Sequence, residues 1–203
     1  MATLQGSVVP ILPRSVRPMH VAPRSSGVRM LFGLGGPPPP QAAVTDVCFL
    51  DVAVLSPKGD NKFEVGRLEL SLYGNDAPLS CARFKALCAG DGGHSYRGTK
   101  FHRTLKGFVV QGGKLDEQLE PFVEGANALR HIEGALAMSN DGQSSNSEFF
   151  VTLREAQELD GSFCVMGHVT SGMKEVARDI DRRAGSADGE PWCTYIVTSC
   201  GVL

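Results

Sequence analysis

Several features that would point to particular protein classes are missing from this 203-residue chain. None of the six cysteines is spaced as Cys-x-x-Cys or has a histidine at metal-ligand spacing, so most are expected to be buried thiols, with redox pairing as the alternative. No apolar run is long enough to span a bilayer, and the start lacks the compact apolar segment of a secretory signal. There is no internal repeat, and the length is too short for two domains of average size. We therefore expect one globular domain with no membrane span.

Acidic residues are missing from the first 45 positions, where the only charged side chains are Arg14, Arg17, Arg24 and Arg29. All 22 acidic residues lie beyond this segment, against 16 of the 20 basic ones, so the remaining body is acidic. Nonspecific binding of nucleic acid needs a basic face. We therefore expect no nucleic-acid partner.

The first 44 residues are rich in Arg, Ser, Val and Pro, and their last part contains the stretch GLGGPPPPQA. Such a composition cannot bury enough apolar surface to order itself. It predicts a disordered transit peptide and linker at residues 1–44, ahead of a domain at residues 45–203. The Ser, Pro and Gly content favours the chloroplast, in the stroma or the thylakoid lumen, with the mitochondrion as the alternative. An untargeted disordered tail is the other interpretation.

The domain begins with a pattern typical of a β-hairpin. An apolar segment, TDVCFLDVAVL, is followed by the turn residues SPKGDN and by a second segment, EVGRLELSLYG. In the second segment three leucines alternate with polar residues, as expected of a strand with one face in the core. They are Leu68, Leu70 and Leu72.

Two later segments have helical features. The segment NDAPLSCARFKALCAG offers Asn75 or Asp76 as the N-cap, Pro78 for the first turn and Gly90 after the last turn. The segment SGMKEVARDIDRRAG, which ends near Gly185, places four apolar residues on one helix face. They are Met173, Val176, Ala177 and Ile180.

Short strands are predicted along the rest of the domain, around residues 101–111, 134–138, 148–153, 163–170 and 194–203. Turn residues separate them, and strand and helix do not alternate. Many short strands with only two helices favour a mainly β fold, built as a closed antiparallel barrel. Closure would also remove the exposed strand edges.

The segment KFHRTLKGFVVQGGK has a cation and an amide at the two ends of an apolar run. Residues an even number apart on one strand face the same side, so Arg103, Val109 and Gln111 are expected to share a face. The alternative is a bend at Lys106-Gly107 that breaks this register. The same spacing relates Glu148 and Phe150 in SEFFV. If the two strands are neighbours, these side chains converge on a shallow apolar pocket with a cation on its rim.

This segment, with SYRGTKFHR before it and GALAMSNDGQSSNSEFF after it, resembles the signature of the cyclophilins, the peptidyl-prolyl cis-trans isomerases. The resemblance extends from Val44 to the C-terminus. It implies an eight-stranded antiparallel barrel capped by two α-helices, with the site on its outer face. It also implies no metal or organic cofactor, proline-containing polypeptides as partners, and a monomer unless the chain is part of a complex.

The resemblance assigns a role to each matching residue. Arg103 becomes the catalytic donor, and Gln111 orients it or the substrate backbone. Asn140 becomes a hydrogen-bonding group for the substrate backbone. The walls of the proline pocket are Phe108, Val109, Phe150 and Leu159.

Some substrate-binding positions depart from the pattern of the family. Asp141 replaces an alanine, Glu148 replaces a glutamine before the double phenylalanine, and Phe163 replaces a histidine. Glu158 stands where many members have a tryptophan whose ring N–H is a hydrogen-bond donor. Cyclosporin binding is therefore doubtful, because a carboxylate cannot supply that donor.

These residues favour an active prolyl isomerase that assists protein folding by noncovalent rotation of X-Pro bonds. Two effects of Glu148 are open: it pairs with Arg103 and lowers the activity, or the pair pre-orients the guanidinium. The alternative is a noncatalytic peptide-binding module or a subunit of an organellar complex, which the same substitutions would favour. A Cys-His hydrolase is not indicated, because no cysteine lies near a histidine in a recognisable nucleophile motif.

Overall fold

The computed structural model describes residues 41–56, 59, 61–117, 119–142, 144–184, 189 and 192–203. The predicted leader and linker therefore lie almost entirely outside the described residues and stay a prediction. In the described part of the chain, no helix combines the length and the apolar character needed to cross a bilayer.

Within these described residues, eight antiparallel strands form one sheet, in the order β3-β4-β6-β5-β7-β2-β1-β8. Six of them correspond to the segments predicted as single strands, apart from small shifts at their ends. The strands are β1 (Asp46–Leu55), β2 (Lys62–Leu72), β3 (Arg103–Leu105), β4 (Val109–Gly112), β5 (Ala135–Asn140), β6 (Ser145–Thr152), β7 (Val165–Ser171) and β8 (Tyr195–Val202).

The two ends of the sheet, β3 and β8, are linked through the segment that leads into β3. The amide of Gly98 donates to the carbonyl of Val197 at 2.7 Å, and the amide of Phe101 donates to that of Tyr195 at 3.1 Å. Because these bonds run between opposite ends of one sheet, the sheet is strongly curled.

The core lies inside the curled sheet and follows the alternation of its strands. All three leucines predicted to face the core on β2 are buried, although Ser71, one of the polar residues that alternate with them, is also buried. On β6, Phe149 points inward and packs edge-to-face against Phe84 and Tyr96, with ring centroids 5.3 and 5.2 Å away. Such aromatic pairs add to the stabilisation that burial provides.

Helix α1 (Pro78–Ala89) forms where the sequence predicts it, but its N-terminus is capped differently. Pro78 occupies the first turn and Gly90 ends the helix with a φ of 81°, as predicted. Neither Asn75 nor Asp76 caps it; instead, the two carboxylate oxygens of Glu124 accept hydrogen bonds from the amides of Leu79 and Ser80, both at 2.8 Å. A partner 45 positions away cannot be read from local sequence.

The second predicted helix is less regular than expected. A π-helical turn (Met173–Ala177) precedes helix α2, which covers only Arg178–Arg182. Gly172 starts this segment with a φ of 87°, and a Cβ atom there would overlap the carbonyl oxygen of Arg67 on β2. The predicted inner residues Val176, Ala177 and Ile180 are buried, while Gly185 lies outside the described residues.

The segment predicted as one strand over residues 101–111 is in fact two strands, β3 and β4, joined by a turn. Gly107 in the turn has a φ of 68°, which glycine adopts without a steric penalty, and the amide of Phe108 donates to the carbonyl of Leu105 at 2.8 Å. Arg103 and Gln111 are therefore direct cross-strand partners. They share a face because they lie opposite each other, and the even spacing proposed from the sequence is not the reason.

Replacing Gly167 with alanine should destabilise the fold strongly. The new Cβ would overlap the carbonyl oxygen of Ser71 where β7 meets β2, so we expect a loss of about 2 to 3 kcal/mol in the free energy of unfolding. Denaturant unfolding of the full chain measures it. The exposed Gly125, where a Cβ meets no atom within 4 Å, provides the control Gly125→Ala; equal unfolding midpoints for the two variants would contradict the packing described.

Candidate functional site

A cavity of about 350 Å³ opens beside β3, β4 and β6. Nine of the ten residues predicted for the site line it. Asp141 is the one that does not line it. Two residues that sequence reasoning missed, Leu105 and Ser139, complete the wall. The predicted residues that line it are Arg103, Phe108, Val109, Gln111, Asn140, Glu148, Phe150, Leu159 and Phe163.

The floor of the cavity is a small apolar cluster that is separate from the main core. Val109, Ala137 and Phe150 are its buried members, and Phe108 and Phe163 are among the half-buried residues that pack against it. The rings of Phe150 and Phe163 meet edge-to-face at 5.2 Å. The second phenylalanine of the SEFFV segment therefore belongs to the cavity rather than to the interior, because adjacent residues on a strand face opposite sides.

A buried histidine supports the floor from behind. The ring of His131 stacks on that of Phe150 with centroids 5.9 Å apart and planes 14° apart. Asp160 holds His131 through its ring Nδ1 at 2.9 Å and its backbone amide at 2.8 Å. Partial burial alone would raise the pKa of Asp160, but these hydrogen bonds bring the pKa below its ordinary value. No motif in the sequence identified this pair.

Arg103 extends to the rim of the cavity with its charge uncompensated. Arg103 is exposed, and within the described residues its guanidinium has neither a hydrogen-bond partner nor an ion-pair partner. Its stem passes close to Gly189, where a Cβ atom would lie 3.0 Å from Cγ of Arg103. The amide of Thr104 donates to the carbonyl of Gly189 at 2.6 Å, which fixes this approach.

The carboxylate of Glu148 contacts Gln111 and His102 rather than Arg103. Its Oε2 accepts a hydrogen bond from Nε2 of Gln111 at 2.7 Å and lies 3.2 Å from Nε2 of His102. The hydrogen bond with His102 is the main reason why the pKa of Glu148 is lowered, with Gln111 contributing in the same direction against partial burial. Glu148 therefore stays ionised at neutral pH without neutralising Arg103.

The ionised Glu148 also determines which way the amide of Gln111 points. A carboxylate only accepts hydrogen bonds, so the atom that faces it must be the nitrogen. The same nitrogen lies 3.3 Å from Oγ of Ser139. The carbonyl oxygen of Gln111 occupies the other arm of this planar group and is left as an acceptor at the cavity.

Asn140 and Asp141 support the loop that follows β5. The side chain of Asn140 donates to the carbonyl of Ser162 at 3.3 Å and accepts from the amide of Gly142 at 3.1 Å. Asp141 accepts from the amide of Ser144 at 2.8 Å and lines a neighbouring cavity of about 320 Å³. Asp141 does not line the 350 Å³ cavity, so that cavity gives no support to the substrate-binding role predicted for it.

The outer rim includes the glutamate that occupies the position of a common tryptophan. Glu158 is exposed, pairs with Arg154 at 2.5 Å and does not line the cavity. Arg154 lies over the ring of Phe108, with its Cζ 4.7 Å from the centroid. The ion pair thus lies beside one aromatic wall of the pocket.

The arrangement combines an apolar hollow, one unpaired cation and an oriented amide. Such a set can bind a small ring in the hollow and direct a fixed positive charge at an atom of the bound molecule. Among the described residues that line it there is no nucleophile next to a base, so this lining does not resemble a covalent catalytic centre.

Comparison with known proteins gives consistent matches. The model of the family described as cyclophilin type peptidyl-prolyl cis-trans isomerase/CLD matches residues 60–202. Peptidyl-prolyl cis-trans isomerase CYP21-1 of Arabidopsis thaliana is 33% identical over 79% of this chain and 76% of its own length. Peptidyl-prolyl cis-trans isomerase 9 of Caenorhabditis elegans is 32% identical over 76% of this chain and 54% of its own length. The NK-tumor recognition protein of Homo sapiens is 32% identical over 77% of this chain, but the match covers only 12% of that protein.

The hydrogen bond between Gln111 and Glu148 should be visible in a pH titration. Because the pKa of Glu148 is lowered in the folded state, the interaction is present above the ordinary value of 4.5 and is lost as the pH falls through the lowered value. We expect the side-chain amide resonances of Gln111, followed by NMR, to shift below pH 4.5. In the control Glu148→Gln this shift should be absent, and a titration unchanged in that variant would show that another group causes it.

Proposed function

The chain belongs to the family of cyclophilin-type peptidyl-prolyl cis-trans isomerases, and from this premise we propose that it accelerates rotation about X-Pro bonds in polypeptides without a covalent step. The observation that carries the proposal is the position of Arg103, which is unpaired within the described residues and lies at the rim of an apolar cavity. Proline-containing chains, and folding proteins in particular, are the substrates of this activity.

The chemistry requires only a pocket and a well-placed donor. A peptide bond resists rotation by about 18 to 20 kcal/mol because the nitrogen lone pair is shared with the carbonyl, and X-Pro bonds exchange over tens to hundreds of seconds unaided. During rotation the prolyl nitrogen becomes pyramidal and regains its lone pair. A donor that binds this lone pair stabilises the twisted state more than either planar state, which is the condition for catalysis.

Each part of the cavity has a role in this proposal. The cluster of Val109 and Phe150, with Phe108, Leu159 and Phe163 beside it, holds the proline ring and keeps water away from it. Arg103 donates to the prolyl nitrogen, and its guanidinium stays charged at any working pH and has a fixed fork that lysine lacks.

The polar groups hold the substrate backbone. The carbonyl oxygen of Gln111, oriented by Glu148, accepts a hydrogen bond from the substrate or from Arg103. Asn140 contributes backbone hydrogen bonds next to it. Asp141 makes at most a peripheral contact with the substrate, because it lines the neighbouring cavity of about 320 Å³.

Two further parts of the proposal concern the whole chain. Closure of the eight strands into a barrel is supported by the hydrogen bonds of Gly98 and Phe101 to β8.

Delivery to the chloroplast, with the mitochondrion as the alternative, is supported by the absence of acidic residues before Asp46 and by the Arg, Ser and Pro content there. Imaging of residues 1–44 fused to a fluorescent protein tests the destination; a diffuse cytosolic signal would contradict it.

Arg103→Ala should abolish most of the activity. Removing one preorganised donor of this kind lowers the rate roughly 100- to 1,000-fold, so we expect a fall of that size in kcat/KM for isomerisation of a short X-Pro peptide. Arg103→Lys should recover little of the loss, because it keeps the charge but not the planar fork.

Arg67 provides the matched control for this experiment. It lies on β2, pairs with Asp51 at 2.7 Å and does not line the cavity, so Arg67→Ala should leave kcat/KM unchanged. An equal effect of both substitutions would refute the role of Arg103. If the unmodified chain binds the peptide but does not accelerate isomerisation, the noncatalytic peptide-binding module becomes the better assignment.

Cyclosporin should inhibit the unmodified chain weakly, and Glu158→Trp should strengthen inhibition at least tenfold. The substitution restores an indole N–H donor and an apolar surface at the rim, each of which can add about 1 kcal/mol to binding. Inhibition constants from the isomerase assay measure the gain. Glu155→Trp, on the same exposed segment, is the control and should change little; strong inhibition without any substitution would contradict the importance of this position.

A further inference from the structure

A second cavity, of about 430 Å³, lies between two loop segments outside the candidate active site. Residues 95–102 form one wall and residues 114–116 form the other. We call this cavity the basic cleft, because three of its lining residues are Arg97, Lys100 and Lys114. None of its lining residues also lines the 350 Å³ cavity described above.

The positive charges that line the basic cleft outnumber the negative ones, although Lys114 also helps to lower the pKa of Glu148. In the described part of the chain, Arg97, Lys100 and Lys114 take part in no ion pair, and Asp116 is the one acidic residue of the lining. His102 also lines the cleft, but its Nε2 is already engaged by Glu148. The formal charge from these three cations and one carboxylate is +2, on a body in which acidic residues outnumber basic ones.

The wall that carries Arg97 and Lys100 is held rigidly at the backbone. Gly98 and Phe101 donate to β8, and the carbonyl of Thr99 accepts from the amide of Val197 at 2.9 Å. The hydroxyl of Thr99 donates to the carbonyl of Tyr96 at 2.7 Å. The Cα atoms of the two cations are therefore fixed before a ligand binds. Less conformational entropy of the protein is then lost on binding.

These observations indicate an anionic ligand with more than one negative charge. A phosphate monoester carries a charge of about −1.5 to −2 at neutral pH and matches the +2 of the basic cleft. Arginine binds its oxygens through paired N–H groups, and lysine binds them as a point charge.

The size and composition of the basic cleft indicate which kind of molecule carries the phosphate group. A volume of 430 Å³ exceeds that of one phosphate group and leaves room for the side chain and backbone that carry it. Among the described residues no Phe, Tyr or Trp lines the cleft as a stacking platform for a nucleobase, and the imidazole of His102 is held by Glu148. The acidic body also disfavours a polyanion. We propose that the basic cleft binds a phosphorylated serine or threonine of a polypeptide, independently of the isomerase site.

The direct test is calorimetric titration of the full chain with three ligands. They are a proline-free peptide that contains phosphoserine, the same peptide with serine, and inorganic phosphate. Because the peptides lack proline, the result does not depend on whether the proposed isomerase activity is correct. We expect the phosphopeptide to bind at least about tenfold more tightly than the serine peptide, and the binding to weaken as salt is added.

Paired variants place the binding at the basic cleft. The double variant Arg97→Gln/Lys100→Gln should lower affinity for the phosphopeptide at least tenfold. The control Lys62→Gln/Lys174→Gln removes the same charge from exposed positions outside the cleft and should lower it less than twofold. The NMR spectrum of each variant verifies its fold.

Each outcome decides the proposal. Loss of binding in the cleft variant alone supports it. Equal affinity for the two peptides, or an equal loss in both double variants, overturns it. Inorganic phosphate that binds as tightly as the phosphopeptide supports the chemistry of the cleft and overturns the polypeptide as the source of the phosphate.

Discussion

The alternation of side chains along β6 is the constraint on which both the fold and the candidate site depend. Phe149 points into the curled sheet and joins Phe84 and Tyr96 in the core, while its neighbour Phe150 points outward and forms the floor of the cavity. A shift of one residue in the pairing of β6 would exchange these two rings. Core packing therefore also keeps the binding surface in register.

The second constraint is the distribution of charge around that floor. Glu148 lines the same cavity as Arg103, yet its hydrogen bonds go to Gln111 and His102. This pairing leaves the arginine available within the described residues and gives the amide of Gln111 one orientation. A substitution that looks unfavourable beside a cationic donor is thus accommodated by a neighbouring histidine, and the positive charge at the rim is preserved.

Local patterns predicted most of the elements, and long-range contacts account for the differences. The even spacing in SEFFV, the proline and glycine at the ends of α1, and the leucines of β2 act through short-range geometry, and the structure agrees with each. The cap from Glu124 depends on a residue 45 positions away, so composition and period do not reveal it. The bend at Gly107 was one of the alternatives that the sequence left open, and the structure has it. The family resemblance indicated nine of the residues that line the cavity, but it could not show that Asp141 lines another cavity or that His131 stacks on Phe150.

The order of the strands has a consequence for synthesis of the chain. Strand β1 lies between β2 and β8, so one of its edges is covered only by a strand that is made about 140 residues later in the chain. While the ribosome is still adding those residues, the amides and carbonyls of that edge have no partner and offer a template for another nascent chain. The sheet is therefore completed only after β8 has left the ribosome, and a truncation that removes β8 should leave a product prone to aggregate.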